Sequence, residues 1–236
     1  MPNLSFRQKQ ILSAIFTFLI YTSILNWKAA LLLLVGVGFH EYSHLWAAKR
    51  MHLRTSGFFF IPFMGGVALV SDRYKTYGQQ AFVVLLGPVG GGLLAGVTAG
   101  AYYLTGYPYL ASAAYWMCFL NLFNLLPLSF LDGGQLLDTL TYSTNRTFGM
   151  VMHIISTVVA AVVLWFFNYL IAIMVILFGG ASIWREITDW NPPKRLTPGQ
   201  MFLTTAGWSA TIFLLGQLYF FLKGMPGVGF AAIFGR

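Results

Sequence analysis

The sequence predicts an all-α polytopic membrane protein with six or seven transmembrane helices and a short re-entrant β-hairpin or loop after the second span. Three observations carry this. Of 236 residues, 58% are hydrophobic and only 8% charged, where a soluble domain carries about 25% charged. Apolar runs approach the ~20 residues that a membrane helix needs. The basic residues sit in short clusters between those runs. A water-soluble globule cannot hide this much apolar surface, and a disordered chain would be polar. The length allows one large domain or at most two.

The expected spans are 10–26, 29–48, 80–104, 109–128, 150–167, 169–184 and 202–222. The first follows Arg7 and Lys9 as a signal peptide would. It has no clear small-residue cleavage site, and the second span begins almost at once after Asn26-Trp27-Lys28, so it is read as retained. The stretch 150–184 would be about 52 Å long as one helix, too long for one crossing, and is split near Asn168. Without that split, six spans remain. The polar loop 129–149 separates the fourth and fifth spans.

Charge sets the expected orientation. With seven alternating spans, all Lys and Arg except Lys28, Lys223 and Arg236 fall on one side, with the N-terminus. That side is expected to be cytoplasmic, in a multi-pass cell-membrane protein. The net charge of +8 is read as basic loops against anionic lipid, with no nucleic-acid partner. Cys118 stands alone and reads as a small core residue.

The second span ends in His40-Glu41-Tyr42-Ser43-His44, an H-E-x-x-H pattern. On a helix, residues i and i+4 share a face, so His40 and His44 can bind one Zn²⁺, with Glu41 placed to reach a water. Three ionisable residues in one turn at the edge of hydrocarbon need a reason. The bland alternative is a polar helix end with snorkelling histidines.

A catalytic zinc site usually has a third protein ligand. Glu186 and Asp189 read as solvated, Asp72 and His52 as loop residues, Asp138 as interfacial, and His153 as an interfacial or hydrogen-bonded histidine. Asp132 is different. It follows Asn124-Leu125-Leu126-Pro127, precedes Gly133-Gly134, and ends the fourth span on the side where His44 ends the second. A helix-terminal cap is the alternative for Asp132. Zn²⁺, two neutral imidazoles, Asp132 and Glu41 sum to zero charge, which lowers the cost of burial.

These two stretches resemble the site-2 protease family of intramembrane zinc metalloproteases. The match is H-E-x-x-H at His40 to His44, then N-x-x-P-x-x-x-x-D-G at Asn124 to Gly133. It extends loosely to Pro62-Phe63-Met64-Gly65-Gly66 and Gly87-Pro88. The resemblance implies His40, His44 and Asp132 as ligands of one zinc per chain, and Glu41 as general base and acid. Asn124 would touch the substrate carbonyl or steady the oxyanion; an interhelical hydrogen bond is the alternative. The chain departs from the family where Gly90, Gly91 and Gly92 replace a common Asn after Gly-Pro, and where Ser129-Phe130 stand for Pro-Pro. It shows neither an inserted PDZ domain nor an appended CBS domain.

Residues 1–236 thus read as a single transmembrane metalloprotease domain, with a catalytic core of about 29–140 and additional spans in 150–222. The expected partners are a transmembrane protein substrate, the lipid bilayer and a membrane regulator or adaptor. Oligomeric state is not specified. The stretch 57–70 is expected to hold an extended substrate by β-augmentation, or merely to pack over the site. Gly92, Gly96 and Gly100 read as a stripe for close helix packing. Trp165, Phe166, Phe167, Tyr219, Phe220 and Phe221 read as interfacial belts. A divalent-metal transporter and a catalytically inactive scaffold are the competing readings. Transport sites usually sit near mid-bilayer, whereas these candidates lie at one end of their helices. The intact Glu41 argues against the scaffold.

Overall fold

A computed structural model describes residues 5–62, 65–166, 169–188, 191–225, 227–229 and 232–233, with the side chain of Glu186 outside the description. Phe63, Met64, Phe167, Asn168, Asp189 and Arg236, for which the sequence carries expectations, also lie outside it. Helices α1 (Phe6–Ile24) and α2 (Trp27–Arg50) lead to strands β1 (Thr55–Ile61) and β2 (Gly65–Val70). Then follow α3 (Tyr77–Thr105), α4 (Pro108–Asn124), α5 (Asp132–Thr144), α6 (Arg146–Trp165), α7 (Tyr169–Thr188) and α8 (Pro198–Lys223).

The expected count of six or seven spans is corrected. Among the described residues, three helices are long and apolar enough to cross a membrane: α3, α6 and α8. Tyr169–Arg185 is a shorter apolar helix, which makes four at most. The reason lies in the residues. Helix α2 carries Lys28, His40, Glu41, His44, Lys49 and Arg50, so the residues that carry the motif lower its hydropathy. Helix α1 opens with Arg7, Gln8, Lys9 and Gln10. Helix α4 has only 17 residues. The protein is a multi-pass, predominantly helical membrane protein.

The chain forms two compact units. The first holds residues 1–72, 86–122 and 213–236. Ser5 and Gln8 close α1 with a reciprocal capping box. The Asn26 side chain caps α2 by accepting from Ala29 N–H at 2.9 Å. Lys49 and Arg50 lie in the last turn of α2, where cations suit the helix dipole. Strands β1 and β2 pair antiparallel, with Phe58 opposite Ala68 and Phe60 opposite Gly66. A register shift near Gly57 coincides with its φ of +117°, a conformation that favours glycine. Arg54 and Asp72 clamp the base of the hairpin at 2.7 Å. This exposed pair raises the Arg54 pKa through its hydrogen bond to Asp72. Tyr219 departs from the belt reading, because its ring stacks on Tyr115 and their hydroxyls bond at 2.8 Å. Phe166, Phe220 and Phe221 are exposed, and Cys118 is buried.

The second unit holds residues 73–85 and 123–212. Here α5 packs on α6 and α6 on α7. Leu128, Leu131, Ala160, Ala161 and Val175 form one buried cluster, and Tyr77, Tyr142 and Leu196 another. The small residues permit close approach: a Cβ on Gly149 would run into the Tyr142 ring, and one on Gly179 into Thr157. Thr76 and Lys194 join in a parallel bridge.

Candidate metal centre

His40, Glu41 and His44 lie in the C-terminal half of α2, and all three are buried. The Nε2 atoms of His40 and His44 face each other at 3.0 Å. Their approach follows from the i, i+4 spacing. His40 Nδ1 bonds Asn121 Oδ1 at 2.8 Å. Asn121 Nδ2 donates to Met117 O at 2.7 Å, which assigns the oxygen of the amide to the histidine. His40 therefore carries its proton on Nδ1 and offers the Nε2 lone pair. An outer hydrogen bond of this kind orients a ligating imidazole and raises its basicity.

Helix α3 leaves room for this arrangement. Gly87 is buried, and a Cβ there would collide with His44 Nε2 and lie 2.9 Å from His40 Nε2. A Cβ on Gly90 would meet Ser43 Oγ, and one on Gly91 would meet the Asn121 amide. The α3 glycines that border these polar side chains are thus 87, 90 and 91. The expected stripe keeps only Gly92, beside Leu215, because Gly96 and Gly100 have nothing within 4 Å of a Cβ. On the hairpin, a Cβ on Gly66 would overlap the Glu41 carboxylate, so β2 runs directly along Glu41.

Asp132 is the first residue of α5, preceded by Leu131 in extended conformation. The expectation that it ends the fourth span is corrected. Helix α4 stops at Asn124, the chain turns through 125–131, and Asp132 begins a new helix within the expected loop 129–149. Gly133 and Gly134 are required there, since a Cβ on either would strike the carbonyls of Leu125, Leu126 or Leu128. The helix N-terminus favours a negative charge at Asp132. The Tyr74 phenol is pushed up by burial first and by the Asp132 charge second.

His40, His44 and Asp132 are all buried, and one ligand atom from each lies within 4.8 Å of the others. The donor set fits zinc. Two imidazole nitrogens and one carboxylate form a three-ligand set that leaves a fourth position for water or substrate. At Zn–N distances of 2.0–2.1 Å, tetrahedral nitrogens stand about 3.3 Å apart, close to the 3.0 Å observed.

The other candidates are placed elsewhere. Asn124 is the half-buried last residue of α4. Asp138 accepts from His153 Nδ1 at 2.9 Å. Burial pushes the Asp138 carboxyl up, and His153 pulls the other way. His52 stands exposed with φ +58°. Sequence reasoning missed Asn121, whose only signal was a second amide three residues before Asn124. It also missed α5, where buried Gly133, Leu136, Thr139 and Tyr142 recur every three residues.

Residues 28–115 match the family model for peptidase family M50. That stretch contains His40, Glu41 and His44 and ends before Asp132. No curated protein matches the chain. The M50 match, joined to a buried His-His-Asp cluster in a helical membrane protein, supports a zinc-dependent intramembrane protease consistent with the site-2 family.

Proposed function

We propose that the chain is an endopeptidase that cuts a peptide bond in or near a transmembrane segment of a regulatory membrane protein. His40, His44 and Asp132 would hold one zinc per chain. When bound, zinc supplies Lewis acidity, polarising a carbonyl and making water a nucleophile at neutral pH. Glu41 would take a proton from the attacking water and return it to the leaving amine. Its position supports this role: it is one residue from His40, buried, and against Gly66 of β2. Asn121 would hold the His40 ring and its tautomer. Asn124 would contact the substrate carbonyl or steady the oxyanion. The hairpin would take an unwound stretch of substrate as an added strand, since a substrate helix shields its own amides. The N-terminus and the site would lie on the cytoplasmic side, where Arg7 and Lys9 near the N-terminus and Lys49, Arg50 and Arg54 just after the site would meet anionic lipid. The 1–236 chain would work as one protease domain, with a core of about 29–140.

The observation that carries this reading is the convergence of two histidines and an aspartate beside a buried glutamate that has no need to be a ligand. The test is Glu41→Gln in detergent-purified protein. Zinc is expected to stay near one per chain, while cleavage of a membrane-spanning reporter falls at least a hundredfold. Undiminished cleavage by the variant would contradict the role of Glu41.

A further inference from the structure

Helix α1 has no part in the chemistry above, yet three of its side chains reach the hairpin. Gln10 Nε2 donates to Phe58 O at 3.0 Å. Ser13 Oγ accepts from Phe60 N–H at 3.3 Å while donating to Gln10 O at 2.8 Å. Residues 10 and 13 are one turn apart and share a face of α1. The Phe6 ring also meets the Phe59 ring edge-on at 5.2 Å. Gly57 lacks a Cβ where the Gln10 amide lies.

These contacts fix how the hairpin faces. In an antiparallel pair, opposed residues alternate between those that exchange both backbone hydrogen bonds and those whose N–H and C=O point away from each other. Phe58 O and Phe60 N–H are bonded to α1, so Phe58 and Phe60 belong to the second kind. Their partners, Ala68 and Gly66, then turn N–H and C=O toward the far edge of β2. Among the described residues the sheet has two strands, so no third strand pairs with that edge. Gly66 is also the residue that lies against Glu41.

We propose that Gln10 and Ser13 are positioning residues of the protease. They occupy the outer edge of β1, close it to any partner strand, and set the register in which Gly66 and Ala68 present their backbone to a substrate strand beside Glu41. This rests on the protease reading. A one-residue slip would turn those groups away from the substrate, so the register decides which bond reaches Glu41.

The test is a Gln10→Ala/Ser13→Ala double variant, assayed on a single-span reporter with the cut bond mapped by mass spectrometry. Zinc should remain near one per chain. The kcat at the wild-type bond should fall on the order of tenfold to a hundredfold, with KM changed less, and new cuts should appear at neighbouring bonds. Ser13→Thr keeps the hydroxyl and should cut the single wild-type bond. A double variant that cuts the wild-type bond alone at the wild-type rate overturns the proposal. A second measurement needs no variant of the protease. A photo-crosslinking residue in the reporter should attach to Gly66–Ala68 of the wild-type chain, and attachment to Gly57–Phe59 overturns the proposal. Absence of any cleavage by the wild type would instead overturn the protease reading.

Discussion

The two halves of α3 carry glycines for opposite reasons. In the first half, Gly87, Gly90 and Gly91 are buried, and each marks the place where a Cβ would displace His44, Ser43 or Asn121. In the second half, Gly96 and Gly100 are exposed and face open space. One helix thus holds glycines that reserve volume for a polar site and glycines that serve no described contact. Regular spacing singles out Gly92, Gly96 and Gly100, of which Gly92 alone has a close neighbour, Leu215, whereas the first group touches the chemistry. A regular four-residue period reports which residues share a helix face; it does not report what that face meets.

The sharpest way to break this contrast is Gly87→Ala. The added methyl would sit at the His44 and His40 nitrogens, so zinc should drop well below one per chain and cleavage should vanish. Full zinc content by metal analysis would show that α3 does not border the centre. Gly91→Ala and Asn121→Ala come next. Either removes the Asn121–His40 bond, and loss of such an outer partner typically costs 10–100-fold in metal affinity or activity. Competition with a chelator reads this directly, and unchanged affinity would sink the positioning role of Asn121.

A smaller effect is expected at Asp138, which shares residue types with the centre and pairs with His153. Burial raises its pKa, so the folded state disfavours the carboxylate. Its contribution is fully present below the ordinary aspartate range and is lost as pH rises through the raised value. Thermal stability in detergent should therefore decline over that window, and Asp138→Asn should flatten the decline. An unaltered pH profile in the variant would assign the slope elsewhere. At the bottom of the scale, Gly100→Ala should leave cleavage unchanged and stabilise α3 by up to about 1 kcal/mol, the usual gain of alanine over glycine in a helix.

Much of the centre was legible in the sequence because its signal is local. The i, i+4 histidines need only one helix to share a face, and Asp132 stands out as an acid five residues after Pro127 and directly before two glycines. The mistakes arose where tertiary packing decides. Asp132 reads as the end of one helix and instead begins another, since the 125–131 turn is fixed by carbonyls that press on Gly133 and Gly134. The span count failed because α2 spends its polarity on the site, and α4 is too short. Asn121 was illegible because an amide in an apolar helix does not announce its partner. Only the fold brings it to His40, 81 residues away in the chain.

The central claim is that Asp132 completes a metal centre with His40 and His44. It is tested most directly by the zinc content of purified Asp132→Ala beside the wild type, with the folded state of each checked by thermal unfolding. The account predicts about one zinc per chain in the wild type and far less in a folded variant. A folded Asp132→Ala protein that keeps its full zinc would contradict it.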